Sequence, residues 1–412
     1  MPRKPRITTP DGRTTLGEEL SRRGFLTGAG GVLGAGATLG AGLALGTATT
    51  AVTAPTAEAA MGKGPDTLAV SRDGSYATVP LAKDMIRLGV MQTRVRPVDA
   101  AAPEKGRREN LDHMLKLIAN AQEWNPPSDI LFFHEFPITG FSYDWDRKDI
   151  LRLSIELPGP ETEALGAAAR KYGCYIVFGS YVRDKDWPGH VLSITTVIGP
   201  DGRILDKHWK VRNIMGVFRI GQAPIELMTS TIYNNLDRYI EMYGADAVIP
   251  VTRTPIGNIS TGAMQREPEL FRAMALKGAE ILLRTATGSF IPADIQATAV
   301  TNRVYTAVCN NAVSPGNQFF EETGGSGGSA IYDPFGTPVA MARNEFEQLV
   351  AANIPIKAFR ATHKPPDFAW DLYAPVYAQH VRKYPPNKFA GKLPADLREA
   401  GKWLNDPKNV NW

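Results

Sequence analysis

From Ile86 onward, short apolar runs rich in β-branched residues alternate with stretches of helical period, which restricts the chain to a sheet or sheets flanked by helices. Ile86–Gln92 reads as a strand, and 107–123 as a helix in which Leu111, Met114, Leu115, Leu117, Ile118 and Ala121 recur at helical spacing. Pro126 and Pro127 interrupt the chain before a second strand, 129–133, which runs into His134 and Glu135. A helix over 160–171 leads into a strand from Cys174 to Gly179, and strands 193–198 and 203–205 are joined across Gly199-Pro200-Asp201-Gly202. Farther on come a helix 268–277, a strand 280–284, a helix near 292–301 and a strand 305–309. A hairpin, 329–332 with 338–341, turns at Asp333-Pro334-Phe335-Gly336. Helices and hairpins together predict an α/β domain over 84–358 with mixed sheet pairing. From about 359 to 412 proline, aromatics and charge predominate, and this reads as an extended C-terminal tail packed over the domain or a partner subunit.

The first residues read as an address. Ser21-Arg22-Arg23-Gly24-Phe25-Leu26 is a twin-arginine pattern, a Gly/Ala/Thr-rich uncharged stretch follows, and Ala57-Glu58-Ala59 has the small-x-small form of a cleavage site. The stretch is too glycine-rich for a stable membrane span. The expectation is a twin-arginine signal peptide over 1–59, a linker over 60–83, and a mature protein in the periplasm or outside the cell.

Composition narrows the chemistry. Two cysteines, Cys174 and Cys309, exclude a disulfide framework and a cysteine-based zinc site, and the six histidines lack metal-ligand spacing. Neither a metal nor a cofactor is expected. Residues 1–59 hold six basic and four acidic side chains, so +2 of the formal +4 remains in the body. That nearly neutral body argues against a nucleic-acid partner.

Three neighbourhoods carry a family resemblance: Phe132-Phe133-His134-Glu135-Phe136-Pro137, Gly202 to Lys210, and Pro268 to Leu282 continuing through Arg284-Thr285-Ala286-Thr287-Gly288-Ser289. With Gly328-Ser329 and Asp333-Pro334, they resemble the nitrilase or carbon–nitrogen hydrolase superfamily over about residues 84–345, most closely its aliphatic amidase–formamidase branch. The resemblance implies a four-layer α-β-β-α sandwich, a homo-oligomer, a small amide- or nitrile-like ligand, and hydrolysis by a Glu, a Lys and a Cys. In that chemistry a thiol attacks the carbonyl or nitrile carbon, a carboxylate moves its proton, and an ammonium stabilises the oxyanion.

By motif position Glu135 falls on the general base and Lys210 on the ammonium. Taken singly, the first reads as a solvated strand end and the second as a surface lysine; their order puts both in a pocket. The nucleophile is different. Six residues before Pro268 stands Gly262, whereas the usual spacing forward from Thr254-Pro255-Ile256-Gly257 reaches Met264. The segment is about two residues shorter than the family pattern, and Ile259 to Arg266 contains no cysteine. The shortening is expected to reshape the oxyanion hole as well as remove the sulfur. Ser260 and Thr261 offer hydroxyls nearby, which need a strong positioned base. Asp237 resembles the second carboxylate that assists many family members, although Phe218 stands at the amidase spacing after Lys210.

Gly324 to Ser329 reads as a flexible loop opening the hairpin, since no P-loop Lys-Ser or Lys-Thr completes it. Trp370, Tyr373, Tyr377 and Tyr384 read as staples for the tail. The leading expectation is an exported member of this fold that lacks thiol catalysis and keeps a small-molecule pocket. The alternatives are a hydrolase of small amides using Thr261, Ser260 or water in place of the thiol, and a non-catalytic scaffold or interaction subunit.

Overall fold

The computed structural model describes residues 68, 70, 73–317, 319–320 and 325–412. The twin-arginine segment and, in the linker, residues 60–67, 69, 71 and 72 lie outside the described residues. Five strands come first: β1 (Ile86–Gln92), β2 (Ile130–Phe133), β3 (Tyr175–Val182), β4 (Leu192–Ile198) and β5 (Ile204–Trp209). A small ribbon follows, β6 (Arg219–Ile220) with β7 (Ala223–Pro224). Then come β8 (Thr252–Thr254), β9 (Gly257–Gly262), β10 (Ile281–Thr285), β11 (Tyr305–Cys309), β12 (Ala330–Tyr332), β13 (Pro338–Met341) and β14 (Gln348–Ile354). They form two six-stranded sheets, ordered β14-β1-β2-β3-β4-β5 and β13-β12-β11-β10-β9-β8.

Both sheets are mixed. β1, β2 and β3 are parallel neighbours, as are β9, β10 and β11, while the outer strands pair antiparallel. The chain's last strand, β14, returns to pair with its first, Ile86 opposite Ile354. Sequence periodicity had not singled out this strand or the short β8.

The helices are α1 (Pro103–Glu123), α2 (Arg147–Leu153), α3 (Pro160–Tyr172), α4 (Leu236–Tyr243), α5 (Pro268–Leu276), α6 (Pro292–Asn302), α7 (Ile356–Thr362), α8 (Trp370–Gln379) and α9 (Leu397–Leu404). Proline opens α1, α3, α5 and α6, where its missing N–H is not needed and its fixed φ suits the first turn. Asp146 caps α2 through a reciprocal bond with Asp149.

Side-chain alternation along the strands builds the layers. In the first sheet Leu88, Val90, Ile130, Phe132 and Val177 face the second sheet, where they meet Ile259, Ile281, Leu283, Ala307 and Ile331. Their neighbours Met91, Leu131, Phe133, Ile176 and Phe178 turn the other way, onto Met114 and Ile118 of α1 and Leu165 of α3. On the far side, α5 packs Phe271 and Met274 against Leu282, and α6 packs Ile295 and Ala299 against Val308. The result is the helix–sheet–sheet–helix sandwich that the resemblance implied. The C-terminal extension carries α7, α8 and α9, and its Phe389, Leu397 and Leu404 are buried. Tyr384, read as a staple, is buried in a cluster with Met215 and Leu404, whereas Trp370, Tyr373 and Tyr377 on α8 are exposed.

Phe132 fills the inter-sheet core with no exposed surface, whereas Trp124 at the end of α1 is 83% exposed. Urea unfolding is expected to show Phe132→Ala less stable by about 3–5 kcal/mol. Trp124→Ala should stay within about 0.5 kcal/mol of the parent.

Candidate active site

Glu135 follows β2 and Lys210 follows β5. β5 runs antiparallel to β4, which runs antiparallel to β3, which is parallel to β2, so both residues leave the first sheet at the same edge. The carboxyl ends of strands in open α/β sheets are where ligands are usually met. Lys210 extends the ladder by donating its backbone N–H to Ser193 O at 2.8 Å. On the other strand, Gly179 N–H donates to His134 O at 3.1 Å. A side chain at 179 is excluded, because its Cβ would lie 2.4 Å from Glu135 O and 2.7 Å from Glu135 Cα. Glycine there lets β3 run against the backbone that carries the carboxylate.

The two predicted residues meet. Lys210 Nζ donates to Glu135 Oε1 at 2.9 Å, and each side chain is only 9% exposed. Thr287, just past β10 in the second sheet, donates its hydroxyl to Glu135 Oε2 at 2.9 Å. The carboxylate is thereby held at both oxygens from two different sheets. His134, beside it in sequence, is fully buried, and burial pushes its pKa down to about 3, so it is neutral. Its Nδ1 accepts from Phe136 N–H at 3.3 Å. Burial, and then the nearby Glu135 charge, push the Tyr181 phenol well above its ordinary value; its ring stacks on Phe136 at 4.1 Å.

The strand-to-helix elbow brings no thiol. β9 ends at Gly262, where a Cβ would lie 3.0 Å from the Phe271 ring and so point at α5. Met264 is buried in an apolar cluster with Leu270, Phe271 and Met274, against which Val211 and Ile214, just past Lys210, are packed. Arg284 donates to Met264 O and to the Asp294 carboxylate, and Gln265 Oε1 accepts from Ile291 N–H at 2.7 Å. These bonds cinch the turn. Arg266 within it adopts φ 59°, an uncommon left-handed conformation for a residue with a side chain. Cys174 and Cys309 are both buried; burial pushes the first thiol up to about 11 and the second well above its ordinary value. Inert thiols are found in such places.

Two weaker candidates are corrected. Thr261 does not face Glu135: its hydroxyl is paired with His208 Nδ1 at 3.1 Å, in a buried network where His208 Nε2 meets Thr252 Oγ1 at 2.8 Å. Ser260 donates to Pro250 O at 2.7 Å. These hydroxyls sit on β9 of the second sheet and satisfy buried polar atoms there. Asp237 is exposed in the first turn of α4, where its charge complements the helix N-terminus and its backbone N–H donates to Asn387 Oδ1.

The second buried carboxylate near Lys210 is instead Glu226, which sequence reasoning missed. It lies in a loop without periodicity, accepts from Gly216 N–H at 2.8 Å and Leu227 N–H at 3.0 Å, and is 2% exposed. Burial pushes its pKa up to about 7, with the two N–H bonds and the charges of Lys210 and Arg212 opposing the rise. Thr287 was legible as part of the Arg284 to Ser289 neighbourhood, but its role was not. The glycine run behind it also has a specific use. A Cβ on Gly325 would fall 1.7 Å from Gly288 O, so the loop closes tightly on the Thr287 turn. Among the described residues, no group of three His, Cys, Asp or Glu is placed to hold a metal ion.

A carbon–nitrogen hydrolase profile matches residues 95–364, and the chain belongs to that family. It is 30% identical to a bifunctional nitrilase/nitrile hydratase of Lupinus angustifolius over 49% of this chain and 56% of that protein. The chain thus spans little more than half the length of this curated relative. It is 26% identical to an omega-amidase of Xenopus tropicalis over 66% of this chain and 89% of that protein. A solved structure of an amidase variant from Nesterenkonia sp. AN1, of the nitrilase superfamily, superposes with a TM-score of 0.50 at 20% identity, covering 73% of this chain and all of that one. At this identity the likeness speaks for the fold.

Glu226 generates a pH-dependence. Below about pH 4.5 the carboxyl is protonated in both folded and unfolded chains, and between about 4.5 and 7 only the unfolded chain ionises. Stability is therefore expected to fall as pH rises through that window, by on the order of 1–3 kcal/mol, and then level off. Glu226→Gln should flatten this slope in thermal unfolding curves recorded from pH 4 to 8; an unchanged slope would locate the titration elsewhere.

Proposed function

We propose that this chain is an exported carbon–nitrogen hydrolase-family protein in which thiol-based hydrolysis is lost and a small carboxamide or nitrile pocket is retained. The observation that carries the reading is the buried Glu135–Lys210 pair beside an elbow whose candidate nucleophile positions are Gly262 and Met264. A carboxamide offers a carbonyl acceptor and an N–H donor, which match an ammonium and a carboxylate held side by side. Both groups are largely withdrawn from water, so their bonds to a ligand are stronger than at an open surface. The relatives' activities toward amides and nitriles support the same ligand class. Export rests on the Arg22-Arg23 pattern and the Ala57-Glu58-Ala59 site.

Titration with acetamide, propionamide and acetonitrile, followed by calorimetry or ligand-observed NMR, is expected to show saturable binding. Glu135→Gln should weaken it by at least about tenfold, the loss of one charge-assisted bond. Treatment with iodoacetamide should leave binding unchanged, since Cys174 and Cys309 are buried. A thioester adduct on either cysteine, or amide turnover abolished by alkylation, would overturn the proposal.

A further inference from the structure

We propose that Thr287 is a nucleophile of this site, activated by Glu135 and able to accept small acyl groups. The inference rests on the pocket reading above and adds a covalent step to it. Three hydroxyls lie at or near the ends of β9 and β10, and their partners separate them. Ser260 donates to a backbone carbonyl and Thr261 pairs with His208, whereas Thr287 donates to Glu135 Oε2 at 2.9 Å. That separation is within the reach required between a nucleophile and its base, about 2.6–3.2 Å. The base is in turn oriented by a third group, Lys210, on its other oxygen at 2.9 Å. A hydroxyl, a carboxylate and an ammonium thus stand in the relation of nucleophile, base and orienter, with the attacking atom contributed by β10 rather than by the elbow after β9.

The turn that carries Thr287 is held rigid. Gly288, at φ 75°, donates its N–H to Asn311 Oδ1 at 2.7 Å, and Gly325 closes on its carbonyl. Gln265 from the shortened elbow donates to Ser289 O at 3.3 Å. Thr287 itself is half-buried, so an incoming molecule can reach it while Glu135 stays enclosed. Phe319, whose ring lies against Gly288, also borders a cavity of about 130 Å³ shared with Phe141 and Trp145.

The step balances without a co-reactant other than water. Thr287 Oγ1 forms a bond to the acyl carbon as its proton passes to Glu135. The carbonyl electron pair moves onto oxygen, facing Lys210, whose ammonium carries three donors and can hold both Glu135 and that oxygen. The carbon–nitrogen or carbon–oxygen bond then breaks, and the leaving group takes the proton from Glu135. Water, deprotonated by Glu135, releases the acid, and the proton returns to Thr287. An alcohol is far less acidic than a thiol, so acylation by an amide is slow and an activated ester reveals the step first.

The test uses the full chain with p-nitrophenyl acetate. The expected result is release of nitrophenolate accompanied by one acetyl group, placed on Thr287 by peptide mapping. Thr287→Val should remove the adduct, Thr287→Ser should retain it, and Glu135→Gln should slow acylation by roughly 10²-fold or more. A thermal unfolding midpoint for Thr287→Val within a few degrees of wild type reports that this variant is folded. Equal acylation in wild type and Thr287→Val, or an acetyl group found only on Lys210 or another lysine, overturns the inference. If acetamide binds and no acetyl-Thr287 forms, the covalent step fails alone. If acetyl-Thr287 forms without acetamide binding, the carboxamide pocket fails and the nucleophile stands.

Discussion

The site depends on a dry contact between two sheets. Leu88, Val90, Phe132 and Val177 on one inner face meet Ile259, Ile281, Leu283 and Ala307 on the other, all fully buried. Burial of such side chains contributes about 1.5–3 kcal/mol each in area terms, and the contact fixes how the strand ends of one sheet lie against those of the other. Glu135 belongs to the first sheet and Thr287 to the second, so their hydrogen bond exists only while that interface holds its geometry. The pairing of β14 with β1 completes the first sheet by joining the domain's two ends.

On that frame sits an ion pair that has left water. A buried carboxylate–ammonium contact is a weak source of net stability, because desolvation offsets most of the attraction. Removing either partner leaves the other charge uncompensated, and breaking such a pair typically costs about 3–5 kcal/mol. Glu135 is held at both oxygens, and burial raises the pKa of a second enclosed carboxyl, Glu226, to about 7, so that it is roughly half protonated at neutral pH.

The elbow after β9 is tightly tied down. β9 ends at Gly262, Met264 joins the apolar layer under α5, and Arg284 and Gln265 hold the turn. What lies against the base is a hydroxyl from the neighbouring strand. That Gly262 rather than a cysteine stands six residues before Pro268 could be read from the sequence, because that spacing is a local pattern. It could not reveal the hydroxyl, which comes from another strand. Asp237 and Thr261 were misread for a related reason: residue type and distance along the chain say nothing about which way a side chain faces.

Much of the architecture was legible. Strands such as Tyr305–Cys309 and helices such as Pro160–Tyr172 announce themselves by periodicity and by proline or glycine at their ends, because backbone geometry repeats within a few residues. β14 escaped, since its mixture of alanine, glutamine and asparagine becomes a strand through pairing with β1. Sequence alone determined the alternation of elements, the family resemblance, the places of Glu135 and Lys210, and the lack of a cysteine between Ile259 and Arg266. Only the tertiary structure decided that Glu135 faces Lys210 across 75 residues and Thr287 across 152, and that Glu226 is the enclosed second acid. The physical reason is range: a helix or strand reports its own repeat, whereas a site is made where distant strand ends converge.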